Sequence, residues 1–238
     1  MKTISFTQKG TRTDDNRDAL VASQNNDVSL FIIVDGSTNC PYGGGLARAL
    51  TTHIEQGFKT LPPQALQFAE LKQSLILLLK QAQLDLRTKY PADSASYLLV
   101  CIKNNVAIVL HAGDCFLERL PKPYNLNRRK PLRHPWVNRI HCLATAINPT
   151  TLDKLKNDPD RHALTQSFKA RRFNQPQWQV RALRENERLI LSSDGFWAGL
   201  SDSQQQYLVR QVYNQEESRL NESDDDISFI LIENTKQK

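Results

Sequence analysis

The sequence predicts an α+β protein in which helices cover antiparallel β-sheets. The stretch SYLLVCIKNNVAIVLHAGD, residues 96–114, carries two apolar runs on either side of an asparagine turn, which is typical of a β-hairpin. Two long amphipathic helical patterns lie between strand patterns, and the apolar run DISFILIEN at 226–234 predicts a last strand. Because a hairpin joins antiparallel neighbours, the sheets cannot consist of parallel crossover units alone.

The first half of the chain alternates strand patterns with helical ones. Strands are expected at 2–7 and, more weakly, at 19–23, and the nearly continuous apolar run at 27–36 is typical of a buried strand. Residues 45–58 and 65–89 each repeat apolar side chains at helical spacing. Two amphipathic helices are therefore expected there.

The second half begins with a tract rich in Pro, Asn and Arg at 121–149, which predicts a long excursion over the surface. A short helix is expected at 151–156. Residues 177–195 have the pattern of two strands around a polar turn, and residues 203–218 have a helical pattern. Since the sequence contains no repeat, a single domain is expected to span residues 1–238.

The composition is typical of a soluble globular protein. The chain has 238 residues, of which 39% are hydrophobic and 24% are charged, and this length allows a sizeable core. No apolar stretch is long enough to span a bilayer, and the first residues contain no apolar signal segment. Four cysteines without CxxC or zinc-like spacing are expected to be reduced thiols. We therefore expect a cytoplasmic protein with no membrane partner.

The net charge of +6 concentrates in the middle of the chain, in the basic tracts 127–139 and 169–173. A basic patch can bind nucleic acid, can steer an acidic or phosphorylated partner, or can be a solvated surface, which is its commonest role. Nucleic acid is not the partner that we expect here.

Acidic residues recur at the boundaries of the apolar strand patterns: Asp18, Asp35, Asp114, Asp194 and one of the triplet 224–226. If the strand ends meet at one rim, these carboxylates repel one another, and a divalent cation is the simplest compensation. Hard oxygen ligands favour Mg²⁺ or Mn²⁺ over zinc. The alternative is that each aspartate independently caps a turn or a helix start.

Six segments, in order, resemble the signature of the metal-dependent protein phosphatases, the protein phosphatase 2C or PPM family. They are GTRTDDNRDAL, FIIVDGSTN with GGGLARAL, LHAGDCFLERL, DPDRHALTQSF, LILSSDGFWAGLSD and ESDDDISFILIE, and they span nearly the whole chain. The resemblance implies a four-layer αββα sandwich of two antiparallel sheets flanked by helices. It also implies a monomeric, bacterial-like protein serine/threonine phosphatase that acts on phosphorylated proteins and opposes a kinase.

The resemblance further implies the residues that bind two core Mn²⁺ or Mg²⁺ ions. Asp18 and Asp35 would be ligands, with Asp35 bridging both ions and the Gly36 carbonyl completing one coordination sphere. Asp194 and Asp225 would hold the other ion. The four carboxylates would thereby be the catalytic residues.

A third, weaker ion would bind Asp114 together with Asp194. Arg12 matches the arginine that grips the substrate phosphate, a role that suits the fork of N–H donors on a guanidinium. Two ions bridged by a carboxylate lower the pKa of a shared water and supply a hydroxide that attacks phosphorus in line. The implied mechanism therefore needs no cysteine or serine nucleophile.

The chain departs from the family pattern at several places. Arg12 and Asp18 are one residue further apart than usual, and residues 37–39 are Ser-Thr-Asn. The histidine that some eukaryotic members use as a general acid is absent, so metal-bound water is expected to protonate the leaving group. The usual Gly-Asp-Ser-Arg is Gly-Asp-Cys-Phe at 113–116, and an extra aspartate at 224–226 leaves a one-residue ambiguity in the last ligand.

Two further hypotheses stay open on the sequence. The altered residues at 113–116 and 37–39 are compatible with a catalytically weak, phosphoprotein-binding regulatory module of the same fold. Clustered carboxylates on a basic chain are also compatible with a metal-dependent nuclease. The basic tract 128–139 lies where the family has a variable flap, and we expect it to contact the phosphoprotein substrate.

Overall fold

The structure is a computed structural model, and it describes residues 1–120, 137–148, 150–216, 219–220 and 223–235. The strands, in chain order, are β1 (Lys2–Gln8), β2 (Asp18–Asn25), β3 (Val28–Gly36), β4 (Ser94–Lys103), β5 (Val106–Ala112), β6 (Phe116–Leu120), β7 (Phe168–Lys169), β8 (Gln177–Ala182), β9 (Arg188–Ser192) and β10 (Ile227–Glu233). The helices are α1 (Gly43–Lys59), α2 (Phe68–Leu86), α3 (Leu143–Ile147), α4 (Leu152–Lys156), α5 (Asp194–Trp197) and α6 (Asp202–Tyr213), with a 3₁₀ helix at Pro159–His162.

The strands form two antiparallel sheets. One has the order β1-β10-β9-β6, and the other has the order β2-β3-β4-β5-β8, with β7 paired to the start of β4. The hairpin expected at 96–114 consists of β4 and β5, which are joined by Asn104 and Asn105 with φ angles of 49° and 60°. Asparagine tolerates this left-handed conformation better than most residues do, and this tolerance explains the turn.

The two sheets face each other across an apolar core. Side chains of β3, β4 and β5 meet those of β6, β9 and β10, and the members include Phe31, Ile33, Leu98, Leu117, Leu191 and Ile230. Helix α1 buries Leu46, Leu50 and Ile54, four residues apart, against the outer face of the sheet that contains β3. Helices α5 and α6 pack against the outer face of the other sheet. The expected α+β class and the four-layer αββα sandwich are confirmed.

The structure adds one feature to a predicted pair of strands and shortens one predicted helix. Strands β8 and β9 are consecutive in the chain but belong to different sheets, because the turn between them is bound to both: Leu183 N donates to Asn105 O, and Asn186 N donates to Asn234 O. The helix expected at 203–218 ends at Tyr213, since Gln215 adopts a positive φ of 60°. No helix in the described residues has the length and apolar character that crossing a membrane requires.

Candidate functional site

Asp18 and Asp35 lie opposite each other at one end of the β2–β3 pair. Asp18 begins β2, Asp35 is the penultimate residue of β3, and the two are partners in the antiparallel register. Directly opposed residues of such a pair project from the same face, with Cβ atoms about 5 Å apart. Because Phe31 and Ile33 belong to the core between the sheets, Asp35 projects into the same space. The register thus brings two carboxyl groups together at one rim of the sandwich.

Asp114 reaches this rim from the turn between β5 and β6. Gly113 has a φ of 104°, and a Cβ there would come within 2.2 Å of the Ser96 hydroxyl, so the turn requires glycine. The Ser96 hydroxyl donates to Asp114 Oδ1 at 2.6 Å, and Trp197 Nε1 donates to the Asp114 carbonyl at 2.9 Å. These contacts fix the direction of the Asp114 carboxyl group.

Asp194 begins the short helix α5, and the expectation that it ends a strand is wrong by two residues. Strand β9 ends at Ser192, Ser193 is the N-cap, and Ala198 N donates to the Asp194 carbonyl at 2.8 Å, because the chain turns into α5 directly after the sheet. The carboxyl group is held from outside the sheet. Arg161 Nη1 lies 3.3 Å from Asp194 Oδ2, and both side chains are largely buried.

The structure distinguishes the two aspartates that precede β10. Asp225 Oδ2 lies 3.1 Å from Arg12 Nη1, across the β1–β10 pair. The Asp226 carboxylate accepts hydrogen bonds from Gly10 N at 2.7 Å and Arg17 N at 2.6 Å, so it holds the backbone of the loop between β1 and β2. Asp225 is therefore the member of the triplet that is directed toward the other acids.

A cavity of about 100 Å³ lies at this rim. Its lining among the described residues is Arg12, Asp35, Ser37, Thr38, Asn39, Ser94, Ala95, Ser96, Asp114, His162, Leu164, Asp194 and Asp225. Asp18 is buried behind the cavity, near the side chains of Ser193 and Ser228. Gly36 packs under the start of α1. This close approach excludes a side chain, since a Cβ would come within 2.1 Å of the Gly43 carbonyl.

The five acids share one electrostatic environment. Burial raises the pKa of Asp35 well above its usual range, and the charges of Asp194 and Asp18 raise it further. Burial also raises the pKa of Asp18 well above its usual range and raises the pKa of Asp114, Asp194 and Asp225. Each of the five carboxyl groups is coupled to at least one of the others, so removing all their protons at once requires compensating positive charge.

The chemistry of these donors fits a hard divalent cation. All are carboxylate oxygens, and Asp18 Oδ2 is buried without a hydrogen-bond partner, as a ligand atom awaiting an ion would be. Within the described part of the chain, no three His, Cys, Asp or Glu side chains stand in ready-made ligand geometry. The features of this site that favour cations are its carboxylate oxygens and its crowded negative charges.

Arg161 and His162 also belong to this site, and sequence reasoning did not single them out. They lie in the 3₁₀ helix, within DPDRHALTQSF, one of the six segments that resemble the family signature. Arg161 pairs with Asp194, and His162 lines the cavity. The sequence did offer a signal for this role: two adjacent basic residues lie in a segment that resembles a phosphatase motif.

The predicted substrate contact of the basic tract 128–139 falls mostly outside the described residues. Of that tract the structure describes residues 137–139, and Val137 and Asn138 are buried. Asn138 Oδ1 accepts from Leu117 N at 2.7 Å, so Asn138 braces β6, and the substrate contact of the tract stays a prediction.

Solved structures resemble the whole chain. A bacterial serine phosphatase aligns with a TM-score of 0.78 and 17% identity, covering 100% of this chain and 99% of that one. The serine/threonine phosphatase Stp1 from Staphylococcus aureus aligns with a TM-score of 0.78 and 16% identity, covering 99% and 95%. The PPM Ser-Thr phosphatase MsPP from Mycobacterium smegmatis aligns with a TM-score of 0.71 and 17% identity, covering 99% of both chains.

Searches by sequence found no matching family model and no matching curated protein. At 16–17% identity the similarity is one of architecture, and it extends over nearly the full length of both chains. The chain has the αββα fold of the bacterial PPM-type serine/threonine phosphatases.

Proposed function

We propose that the protein is a metal-dependent serine/threonine phosphatase that hydrolyses phosphoserine and phosphothreonine in proteins. The observation that carries this proposal is the single cavity lined by four aspartates and Arg12, which come from separate segments of both sheets. The fold shared with bacterial serine/threonine phosphatases supports it. We place the protein in the cytoplasm as a monomer that opposes a serine/threonine kinase.

The residues present would hold two Mn²⁺ or Mg²⁺ ions through Asp18, Asp35, the Gly36 carbonyl, Asp194 and Asp225. Asp114 would share a third ion with Asp194. When bound, such ions neutralise the crowded carboxylates and lower the pKa of water, so that a nucleophile forms near neutral pH.

The protein's own residues position the phosphate and the ligands. Arg12 presents a guanidinium at the cavity, and this fork can bind two phosphate oxygens at once. Arg161 orients Asp194 through their ion pair, and Ser96 orients Asp114 through its hydrogen bond. A positioned array of this kind stabilises the charge that develops on the equatorial oxygens in the transition state.

A cysteine nucleophile is not supported. Burial raises the pKa of Cys115, the cysteine beside Asp114, well above its usual range, and the nearby acids raise it further. A thiol needs a lowered pKa to attack as a thiolate. Hydrolysis by an activated water is the mechanism that agrees with this environment.

The test is hydrolysis of p-nitrophenyl phosphate with added Mn²⁺ by the wild type and by Asp194→Asn. We expect the variant to lose activity by about 100-fold or more, because it removes a carboxylate that is shared by two proposed ion sites. The matched control is Asp27→Asn, which changes an exposed aspartate paired with Lys103 at the other end of the molecule. Equal loss in both variants, or none in Asp194→Asn, would contradict the proposal.

The altered Gly-Asp-Cys-Phe element at 113–116 is also compatible with a catalytically weak module that binds phosphoproteins. A wild-type protein that binds phosphopeptides but does not hydrolyse them would favour that alternative. Nicking of plasmid DNA without phosphatase activity would favour the nuclease.

A further inference from the structure

The cavity has a buried floor and an exposed mouth. Asp114 is buried, and Asp35 and Asp194 are only partly accessible, so their carboxyl groups form the floor. The side chain of Arg12 is 51% exposed, and His162 and Leu164 are exposed residues that line the same cavity. These three side chains, together with the exposed Thr38 and Asn39, therefore form the mouth.

His162 is held at the mouth by contacts on both sides of it. The preceding residue, Arg161, is paired with Asp194 at the floor. The following residue, Ala163, accepts a hydrogen bond from Leu143 N at 2.8 Å, and Asp160 N donates to the Asp158 side chain at 2.9 Å. The imidazole thus lies on a short helix that is tied to the site and to α3.

The size of the cavity determines which way a phosphorylated side chain must point. A volume of about 100 Å³ has room for several water molecules. It accommodates a phosphate group and excludes the polypeptide to which that group is attached. The ester oxygen therefore lies at the mouth, and the attacking water approaches from the acidic floor, which is the in-line arrangement of phosphoryl transfer.

A departing serine or threonine oxygen needs a proton, because an alkoxide is a poor leaving group at neutral pH. Among the described lining residues, Arg12 stays protonated at all relevant pH values, and the Ser, Thr and Asn side chains are weak acids. The carboxylates of the floor serve the proposed cations. The remaining proton donor of suitable strength is the imidazole of His162.

The electrostatic environment of His162 combines opposing influences. Burial lowers its pKa, the positive charges of Arg161 and Arg12 lower it further, and the charges of Asp194 and Asp225 raise it. A phosphate dianion bound in the cavity adds negative charge beside the ring, and this charge favours the protonated form in the complex with substrate. In the free protein the net effect is a lowered pKa for His162, so the ring takes up its proton when the phosphate binds and releases it readily.

We propose that His162 is the general acid that protonates the leaving oxygen of phosphoserine and phosphothreonine substrates. This inference rests on the proposed phosphatase function. The oxygen of the attacking water forms a new P–O bond and one proton of this water passes to solvent, while the ester P–O bond breaks. Its electron pair goes to the serine Oγ, which takes the proton from the imidazolium. The neutral imidazole then regains a proton from solvent. His162 replaces the water that the resemblance led us to expect as proton donor.

The test compares two substrates with wild-type protein, His162→Asn and His162→Gln. On a phosphoserine peptide, we expect kcat to fall about 100- to 1,000-fold in both variants with KM nearly unchanged. On p-nitrophenyl phosphate, whose leaving anion needs no proton, we expect less than about a threefold change. Because the acid must be protonated, wild-type activity on the peptide should decline as pH rises through the pKa of His162, and the variants should lose this decline.

The matched control is His53→Asn, a partly exposed histidine of α1 that pairs with Asp85 away from the cavity; it should leave both activities unchanged. Equal loss on both substrates, or recovery by glutamine, would overturn the general-acid role, since glutamine keeps the polar contact and cannot deliver the proton. If the wild-type protein hydrolyses neither substrate, the proposed function fails, and the His162 inference fails with it.

Discussion

The two ends of the sandwich differ more in charge than in shape. One end carries the five coupled aspartates around a cavity of about 100 Å³. At the other end, a cavity of about 330 Å³ is lined mainly by neutral polar groups, among them Ser23, Asn104, Asn105 and Asn234. Among the described residues that line it, the one acid is Asp27, which is exposed and paired with Lys103. The larger cavity thus has no crowded like charges. Crowding of like charges therefore identifies the proposed functional end better than cavity volume does.

The connections between strands explain this difference. At the end with the larger cavity, tight turns join β2 to β3 and β4 to β5, and Asn26, Asn104 and Asn105 supply their positive φ angles. Polar residues there are used by the turns themselves. At the acidic end, a loop of residues 9–17 joins β1 to β2, and strands β3 and β9 lead toward helices α1 and α5, so the polar residues can be directed toward one another.

The largest expected effect concerns stability and cations. We expect Mn²⁺ at about 100 times its dissociation constant to stabilise the wild type by about 2.7 kcal/mol. Asp35→Asn should unfold at higher urea concentration than the wild type without cations, because it removes a buried carboxyl group whose ionisation is opposed by burial and by the charges of Asp194 and Asp18, and it should lose most of the stabilisation by Mn²⁺.

Urea unfolding with and without Mn²⁺ measures both effects. Asp27→Asn, at the other end, should behave like the wild type. A cation response that survives Asp35→Asn would break the comparison between the two ends.

A second prediction separates burial from crowding. Glu118 on β6 is buried beside Lys156 and Asp202, away from the five aspartates, and burial raises its pKa to about 8. In the folded state it stays protonated up to that pH, whereas in the unfolded state it ionises near 4.5. Stability should therefore be greatest below the unfolded pKa and fall as pH rises toward about 8.

Glu118→Gln is expected to remove this part of the pH dependence and to be more stable than the wild type by about 2 kcal/mol near pH 8. Urea unfolding of both proteins between about pH 5 and pH 8 measures the difference. Unlike Asp35→Asn, the variant should keep the response to Mn²⁺. Parallel pH curves for the two proteins would show that Glu118 is ionised in the folded state.

A third, smaller effect tests the division of labour between Asp225 and Asp226. Asp226→Asn should cost about 1 to 3 kcal/mol of stability, because one of its two backbone partners, Gly10 N or Arg17 N, would face an amide donor. Asp225→Asn should leave stability nearly unchanged and reduce phosphatase activity. The reverse pattern in thermal unfolding and p-nitrophenyl phosphate assays would reassign the ligand.

The smallest effect is expected at the end with the larger cavity. Ser23 Oγ is buried without a hydrogen-bond partner, so Ser23→Ala removes an unsatisfied group. A gain of about 1 kcal/mol or less in unfolding free energy, with unchanged phosphatase activity, is the expected result. Loss of activity in this variant would show that the two ends are coupled.

Much of the fold was predictable because long apolar runs identify β3, β4 and β10, and helical spacing identifies α1. Periodicity gives the face that a strand buries, but it does not give the sheet that the strand joins. For this reason the separation of β8 from β9 could not be predicted, since it depends on contacts of the intervening turn with distant strands.

The same limit applies to the site. Asp18 and Asp35 could be predicted as site residues, because each lies at the boundary of an apolar strand pattern. Arg161 and His162 lie on a 3₁₀ helix without any periodic pattern, and their role depends on where that helix docks. The choice between Asp225 and Asp226 required the hydrogen bonds of the loop that faces them.

The pairing of β1 with β10 sets the order in which the site can be completed during translation. Lys2 is opposite Glu233 and Gln8 is opposite Ile227, so Arg12 and Asp225 are neighbours only after this closure. A ribosome that has made every other strand still carries a nascent chain with a partial acidic cluster and an unpaired edge at β9. The proposed site is therefore completed in one late step, when β10 pairs with β1 and β9.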